Sequence, residues 1–185
     1  MHFTQSVYNY CGKMAIFFAV FDLRVAILFL ALVRISSGQT IPPCTNNDCC
    51  QRENYTKLDN SRRSTQSRYK QGQVPLCDKD LKAGWYRFKS FVGGEMPTKK
   101  VDENHCGTLH PIWLRPLTGT HPRPSAMAAP VTVEACVNIN ERNVGCFYSF
   151  NVGVKFCPGN YFVYYLTPMP SCSIAYCAGK ISLRY

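Results

Sequence analysis

Cysteine is the residue type whose number and spacing point most clearly to chemistry in this chain. The 185 residues include eleven cysteines. Such thiols can pair as disulfides, ligate a metal ion or act as catalytic nucleophiles. A cytosolic protein has little use for so many unless they bind metal or carry out redox chemistry, so the number favours an oxidising compartment. The cysteines lie at positions 11, 44, 49, 50, 77, 106, 136, 146, 157, 172 and 177.

Metal binding and catalysis are the alternatives to cross-linking. His105, Cys106 and His110 lie close together in the sequence, but structural zinc sites prefer closely spaced cysteine pairs with matching histidines, and this pattern is missing. A nucleophilic cysteine needs a free thiolate beside a base, and the sequence contains no serine-nucleophile, phosphate-loop or calcium-loop motif. We therefore predict no enzymatic activity, no metal and no cofactor. We interpret His121 and the carboxylate of Asp78 as structural features of turns.

The N-terminal residues predict the compartment. Arg24 precedes an apolar run at 25–33, and small residues follow up to Gly38. This is the order of a secretory signal peptide, so we predict a signal at residues 1–38 with cleavage after Gly38. Cleavage would remove Cys11 and leave ten cysteines, the even number that full pairing requires. The protein is accordingly expected to be secreted.

An uncleaved membrane anchor is the alternative interpretation of the same segment. Residues 14–33 are long enough to cross a bilayer, although Asp22 and Arg24 interrupt them with charges that are costly near its centre. In that case the protein would be a type II membrane protein with an extracellular domain. Both interpretations place the remaining chain in an oxidising lumen.

Residues 39–76 form a polar, turn-rich stretch that contains few aliphatic side chains. We predict an extended lead-in arm or surface loop rather than a part of the core. It includes the sequon Asn54-Tyr55-Thr56. In a secreted chain, this predicts an N-linked glycan on Asn54.

Residues 77–179 should form the folded domain, followed by a short tail at 180–185. Short segments rich in aromatic and β-branched residues alternate with Gly and Pro breaks, and none shows helical spacing over three turns. This pattern predicts a mostly β, small disulfide-rich extracellular domain with short antiparallel sheets and long loops. Val152, Val154 and Phe156 alternate and should share one face. Cys136 and Cys146 flank what looks like a hairpin loop, so they are a sensible local pair; the ten cysteines otherwise allow about 945 connectivities.

A series of motifs resembles the cysteine-rich domain shared by uromodulin, the pancreatic zymogen-granule membrane glycoprotein and the liver oncoprotein-induced transcript protein. The resemblance covers residues 50–179. Some members of the family carry one more cysteine before Cys106 and a Cys-Cys pair where this chain has only Cys146, which together would be one disulfide fewer here. The motifs are CQRENYTKLDNSRRST at 50–65, CDKDLKAGWYRF at 77–88, HCGTLHPIWL at 105–114, GTHP at 119–122, EACVN at 134–138, GCFY at 145–148, VKFCPGNYFVYYL at 154–166 and CSIAYC at 172–177.

The resemblance implies a disulfide pattern and a kind of function. Together with the hairpin, it implies the pairs Cys50–Cys157, Cys77–Cys172, Cys106–Cys177 and Cys136–Cys146, which leaves Cys44–Cys49. It also implies a non-catalytic extracellular binding module that displays its N-glycan to lectins or adhesins. The expected partners are extracellular glycoproteins, matrix or microbial lectins, with no nucleic acid, and a membrane only if the N-terminal segment is uncleaved. The alternative is a structural spacer or a fragment of a larger extracellular or membrane-anchored glycoprotein.

A partner surface could be formed by aromatic and basic side chains. Tryptophans fill small β cores by packing on disulfides, but when exposed they can stack on sugars or anchor a partner. The formal net charge of +10 could favour anionic glycans or a membrane surface, although solubility is the simpler explanation. The candidate residues for such a surface are Trp85, Trp113, Tyr164, Arg62 and Arg63.

Overall fold

The structure is a computed structural model. It describes residues 40–89, 93–123, 125, 128–139 and 145–179. The predicted signal peptide or anchor at 1–38 and the tail at 180–185 lie outside the described residues. Within the described ranges, we find no helix that is both long enough and apolar enough to span a bilayer.

One curled β-sheet dominates the described residues, which confirms the mostly β, disulfide-rich prediction. Its strand order is β1-β2-β6-β5-β4-β3-β7. The sheet is mixed rather than a set of small antiparallel sheets, because β1 pairs with β2, and β3 with β7, in parallel. The strands are β1 (Thr56–Leu58), β2 (Gly84–Phe88), β3 (His110–Leu114), β4 (Val131–Val137), β5 (Tyr148–Cys157), β6 (Tyr161–Leu166) and β7 (Ile174–Tyr176), with short 3-10 segments η1 (Thr45–Cys50) and η2 (Ser61–Arg63).

The main core lies on one face of this sheet. Val152 and Val154 of β5 are buried there and Phe156 packs against the same cluster, as their alternation predicts. Phe162 and Tyr164 extend the cluster from the neighbouring strand β6. Each fully buried aliphatic or aromatic side chain contributes about 1.5–3 kcal/mol, so this face supplies most of the hydrophobic stabilisation.

The opposite face of the sheet is covered by the chain that precedes β1. Ile41 lies over Gly153 so closely that a Cβ at this glycine would come within 2.6 Å of Ile41 Cγ2. Cys49, Cys50 and Tyr55 are buried in a second cluster on this side. The prediction of a surface loop is therefore wrong for this part of residues 39–76. Disulfide sulfur and an aromatic ring supply the apolar surface that the missing aliphatic side chains would otherwise provide.

The chain after η2 also joins the body of the domain. Ser64 forms a parallel bridge with Ala178. The Ala178 N–H donates to the Arg63 carbonyl at 2.8 Å, and the Thr65 N–H donates to the Ala178 carbonyl at 3.0 Å. The lead-in stretch thus supplies both the edge strand β1 and a partner for the chain that follows β7.

Candidate functional site

Ten of the described cysteines form five disulfides: the four pairs that the resemblance and the hairpin imply, and the Cys44–Cys49 pair that they leave over. The Cα–Cα separations run from 4.7 to 5.7 Å, within the usual range for disulfides. The sulfurs of Cys44, Cys49 and Cys50 lie close enough together to suggest a metal site. All three are in disulfides, so they offer no thiolate to an ion. The bonds are Cys44–Cys49, Cys50–Cys157, Cys77–Cys172, Cys106–Cys177 and Cys136–Cys146.

The side chain of Asn54 is exposed, and its position is fixed by the loop that contains η1. Its Nδ2 donates to the carbonyl oxygen of Asp48 at 3.0 Å. The Asn54 backbone N–H donates to Gln51 O at 3.0 Å, and the Gln51 N–H donates in turn to Asp48 O at 2.9 Å. Asp48 lies inside the short Cys44–Cys49 loop and two residues before Cys50, which is tied to the sheet. The amide is therefore held on a doubly cross-linked turn.

An aromatic and cationic stack lies beneath the sequon. Tyr55 is buried, and its hydroxyl accepts a hydrogen bond from Arg87 Nη1 at 3.1 Å. The Arg87 guanidinium carbon lies 3.6 Å from the centroid of the Tyr161 ring, in the range of a cation–π contact. Tyr161 donates its hydroxyl proton to the Cys50 carbonyl at 2.6 Å. Burial, reinforced by Tyr55 and opposed by Arg87, raises the pKa of Tyr161, so the phenol remains the donor.

Thr56, the third residue of the sequon, begins strand β1 and is exposed. It lies opposite Tyr86 in the parallel pairing of β1 with β2. Regular strand geometry therefore takes over one residue after the buried Tyr55. The sequon spans the junction between the cross-linked turn and the edge of the sheet.

Three of the predicted partner-surface residues are buried, which corrects that prediction. Trp113 is 8% exposed and packs with the cysteines of two disulfides. Tyr164 is fully buried, and its hydroxyl accepts from Met96 N at 3.1 Å. Arg63 is 7% exposed and pairs with Asp78. The carboxylate of Asp78 is thus an ionic partner inside the domain and not only a feature of a turn.

Trp85 and Arg62 are partly exposed, and a partner contact through them stays a prediction. The Trp85 ring meets Tyr165 in an edge-on arrangement with centroids 5.6 Å apart. Arg62 Nη2 donates to the Val74 carbonyl at 2.6 Å and to the Gly107 carbonyl at 3.3 Å. Arg62 therefore already holds two loops together.

His121 packs on the core face, as its structural interpretation expects. Its ring centroid lies 4.2 Å from that of Phe162, and its Nε2 is 2.6 Å from the Tyr164 hydroxyl. Either group can donate in this contact, according to which nitrogen of the ring carries the proton. Burial, with a smaller contribution from Arg123, lowers the pKa of His121 to about 4.

Comparison with known proteins matches residues 86–178 to the family model of the uromodulin-like domain. This region includes strands β2 to β7 in full except for the first two residues of β2. The chain belongs to the uromodulin-like domain family. The match to this domain ends at Ala178, the residue after β7 that forms the β-bridge with Ser64.

The relatives of this uromodulin-like chain are longer glycoproteins and uromodulins. Pancreatic secretory granule membrane major glycoprotein GP2 of Canis lupus familiaris is 38% identical over 155 residues, covering 84% of this chain and 28% of that protein. The Homo sapiens protein of the same name is 41% identical over 132 residues, covering 70% and 22%. Uromodulin of Rattus norvegicus is 37% identical over 108 residues, covering 58% and 16%. The chain thus spans less than a third of these relatives.

Sequence reasoning missed the residues of the uromodulin-like domain that support the sequon from below. Arg87 and Tyr161 were not singled out, although both lie on the face of their strands opposite the core. Trp85 and Arg87 alternate with the buried Tyr86 and Phe88, and this pattern was a readable signal. The position of Tyr161 beneath the sequon could not be predicted, because Tyr161 is far from the sequon in the sequence. Only the Cys50–Cys157 bond and the sheet bring the two together.

Proposed function

We propose that this chain is a secreted, non-catalytic binding module that presents an N-glycan on Asn54 to lectins or adhesins. Its membership of the uromodulin-like domain family supports an extracellular role, and its GP2 relatives are named as membrane glycoproteins. The observation that carries the proposal is the exposed Asn54 amide, anchored at 3.0 Å to Asp48 O on a cross-linked turn.

The hydrogen bond from Asn54 is compatible with glycosylation and would orient the glycan. A side-chain amide has two N–H groups, and N-glycosylation replaces only one of them. The other can keep its bond to the Asp48 carbonyl. The first sugar then projects from a fixed base, which reduces the ordering that a lectin would otherwise have to impose on binding.

The cross-linking also supports a non-catalytic role. Every cysteine from Cys44 to Cys177 is in a disulfide, so none of these offers a thiolate nucleophile. His121, which has the perturbed pKa typical of many catalytic groups, is packed against Phe162 and bonded to a buried tyrosine. Its environment is explained by packing.

The experiment compares two substitutions at Thr56 in the secreted full chain. Thr56→Ala destroys the sequon, whereas Thr56→Ser keeps it at the same exposed strand position. Wild type and Thr56→Ser should carry a glycan and bind an immobilised mannose-specific lectin, and Thr56→Ala should lose both properties. Non-reducing electrophoresis checks that all three proteins have the same disulfide-bonded form. Equal lectin capture of the Thr56→Ala protein would refute the proposal.

A structural spacer within a longer glycoprotein is the second candidate function. The observation in its favour is that the GP2 and uromodulin relatives are each more than three times as long as the part that matches. The intact mass of the protein isolated from its natural source tests it. A mass well above that of the 185 residues with one glycan would favour the spacer.

A further inference from the structure

A polar groove lies on the domain between the segment that follows Pro97 and the turn at His105. Its volume is about 440 Å³. Its lining includes Thr65 and Gly179. These residues directly follow Ser64 and Ala178, which pair in an isolated β-bridge. Neither the disulfide framework nor the sequon uses this surface.

Two adjacent lysines in the lining of the groove favour an anionic ligand. Lys99 and Lys100 are exposed, and His105 is half-buried. Asp102 is the acidic residue among those that line the groove. Arg68, which is exposed, is the backbone partner of His105 in an isolated β-bridge.

His105 has one ring nitrogen committed to the backbone. Its Nδ1 lies 3.1 Å from Asp102 O and 2.9 Å from Glu103 O. Since carbonyl oxygens only accept, the proton must be on Nδ1. Nε2 is then the atom left to meet a ligand, and in this tautomer it is an acceptor to which a sugar hydroxyl can donate.

The backbone that carries the lysines is fixed by the sheet. The Pro97 carbonyl accepts from Leu114 N of β3 at 2.8 Å. The Val101 carbonyl accepts from Asn138 Nδ2, just after β4, at 2.8 Å. Cys106, next to His105, is bonded to Cys177. The cations therefore project from a rigid frame, which lowers the ordering cost of binding a charged ligand.

We propose that this groove binds a sulfated polysaccharide. Sulfate oxygens accept hydrogen bonds from ammonium and guanidinium groups, and repeated sulfates match two adjacent lysines and a neighbouring arginine better than a single small anion does. A flat anionic membrane would meet the exposed lysines but would not reach the half-buried His105 and Thr65. A thin polymer chain reaches both.

The test uses the Thr56→Ala chain, which carries no sequon at Asn54, so that its result is independent of the glycan proposal. Immobilised heparin is the probe, and heparosan, which has the same type of backbone without sulfate, is the control ligand. Lys99→Ala/Lys100→Ala should weaken heparin binding about five- to tenfold at physiological salt, since exposed ion pairs are individually weak and are screened by salt. The matched control is Lys79→Ala/Lys82→Ala, which removes two exposed lysines elsewhere.

The groove proposal requires the control variant to bind like the parent and heparosan to bind weakly. Equal losses in the two double variants would overturn it, because binding would then reflect net charge alone. Absence of heparin binding by the parent chain would also overturn it. Vesicles containing phosphatidylserine provide the last arm: stronger binding to them than to heparin, with the same dependence on Lys99 and Lys100, would assign the surface to membranes instead.

Discussion

Arg63 and Asp78 form a two-bond ion pair inside the domain. Arg63 Nη2 lies 2.6 Å from Asp78 Oδ1, and Nη1 lies 2.8 Å from Oδ2. The same pair serves the backbone of Tyr176 in β7: the Tyr176 N–H donates to Asp78 Oδ2 at 2.8 Å, and the Tyr176 carbonyl accepts from Arg63 Nη1 at 3.1 Å. The two side chains thus replace a neighbouring strand at the outer edge of β7, where unpaired groups would otherwise invite pairing with other chains.

Asp78→Ala should destabilise the domain strongly. It leaves the Arg63 guanidinium buried without its carboxylate and removes the acceptor for the Tyr176 N–H, and breaking a buried pair in this way costs about 3–5 kcal/mol. Glu134→Ala is the matched control because its pair with Arg115 is largely exposed and should contribute at most about 1 kcal/mol. Guanidinium unfolding of the oxidised protein measures both values. Similar free energies of unfolding for the two variants would contradict the proposed role of the buried pair.

His121 should make the stability depend on pH in the acidic range. Its pKa is lowered from 6.5 to about 4 by burial and by Arg123, so the unfolded state binds the proton more tightly than the folded state. The stabilisation is therefore complete above pH 6.5 and decreases as the pH falls towards 4, by about 3 kcal/mol in total. Glu95, paired with Arg123, and the Tyr164 hydroxyl are the other polar groups at this site.

The measurement for His121 is a difference between two proteins. Wild type and His121→Gln are unfolded by guanidinium at several pH values from 7.5 to 4, and the two free energies are subtracted at each pH. Carboxylates elsewhere titrate equally in both proteins and cancel. Parallel curves would show that the histidine titrates in the folded state as it does in the unfolded chain.

The fold class could be predicted from the sequence because its signal is local. The alternation in β5 and the aromatic composition of β6 depend on neighbouring residues, and both strands form, with the expected core face in β5. The burial of Arg63 could not be predicted in this way. Its partners Asp78 and Tyr176 lie 15 and 113 residues away, and nothing next to Arg63 distinguishes it from the half-exposed Arg62.

Whether the tryptophan and tyrosine side chains are exposed or buried also could not be predicted from neighbouring residues in the sequence. Trp113 lies on the face of β3 where Cys136 is its register partner on β4, so disulfides rather than solvent cover it. Tyr164 alternates with Tyr165 along β6, and only the position of the core decides which one is buried. The family resemblance supplied the order of the cysteines, but it did not show that the residues before β1 would cover one side of the sheet.

Gly153→Ala tests whether the residues before β1 pack on this face of the sheet. A Cβ at this position would come within 2.6 Å of Ile41 Cγ2 and 3.0 Å of Tyr165 Cβ, and overpacking of this kind typically costs about 1–3 kcal/mol. Gly84→Ala is the matched control, since its new Cβ would find only the Tyr86 ring edge at 3.9 Å. Thermal unfolding should show a clear loss for the first variant and little change for the second.

Ile41→Ala provides the complementary test of the same contact. Removing the Cγ2 atom should relieve part of the Gly153→Ala penalty, so the double variant should lose less stability than the sum of the two single changes. The contact with Tyr165 would remain in the double variant, and for that reason only partial relief is expected. Strict additivity would mean that Ile41 does not lie over Gly153 in solution.

The two disulfides next to the sequon should contribute unequally to stability. Cys50–Cys157 closes a span of 107 residues and Cys44–Cys49 a span of 5. Chain entropy then predicts a loss of roughly 4 kcal/mol for Cys50→Ala/Cys157→Ala, because the other bonds shorten its effective loop, and roughly 2 kcal/mol for Cys44→Ala/Cys49→Ala. Guanidinium unfolding measures the losses, and non-reducing peptide mapping verifies that the remaining four bonds keep their partners. A larger loss from the short loop would mean that the turn beneath Asn54, rather than its tie to the sheet, is the main source of stability on this face.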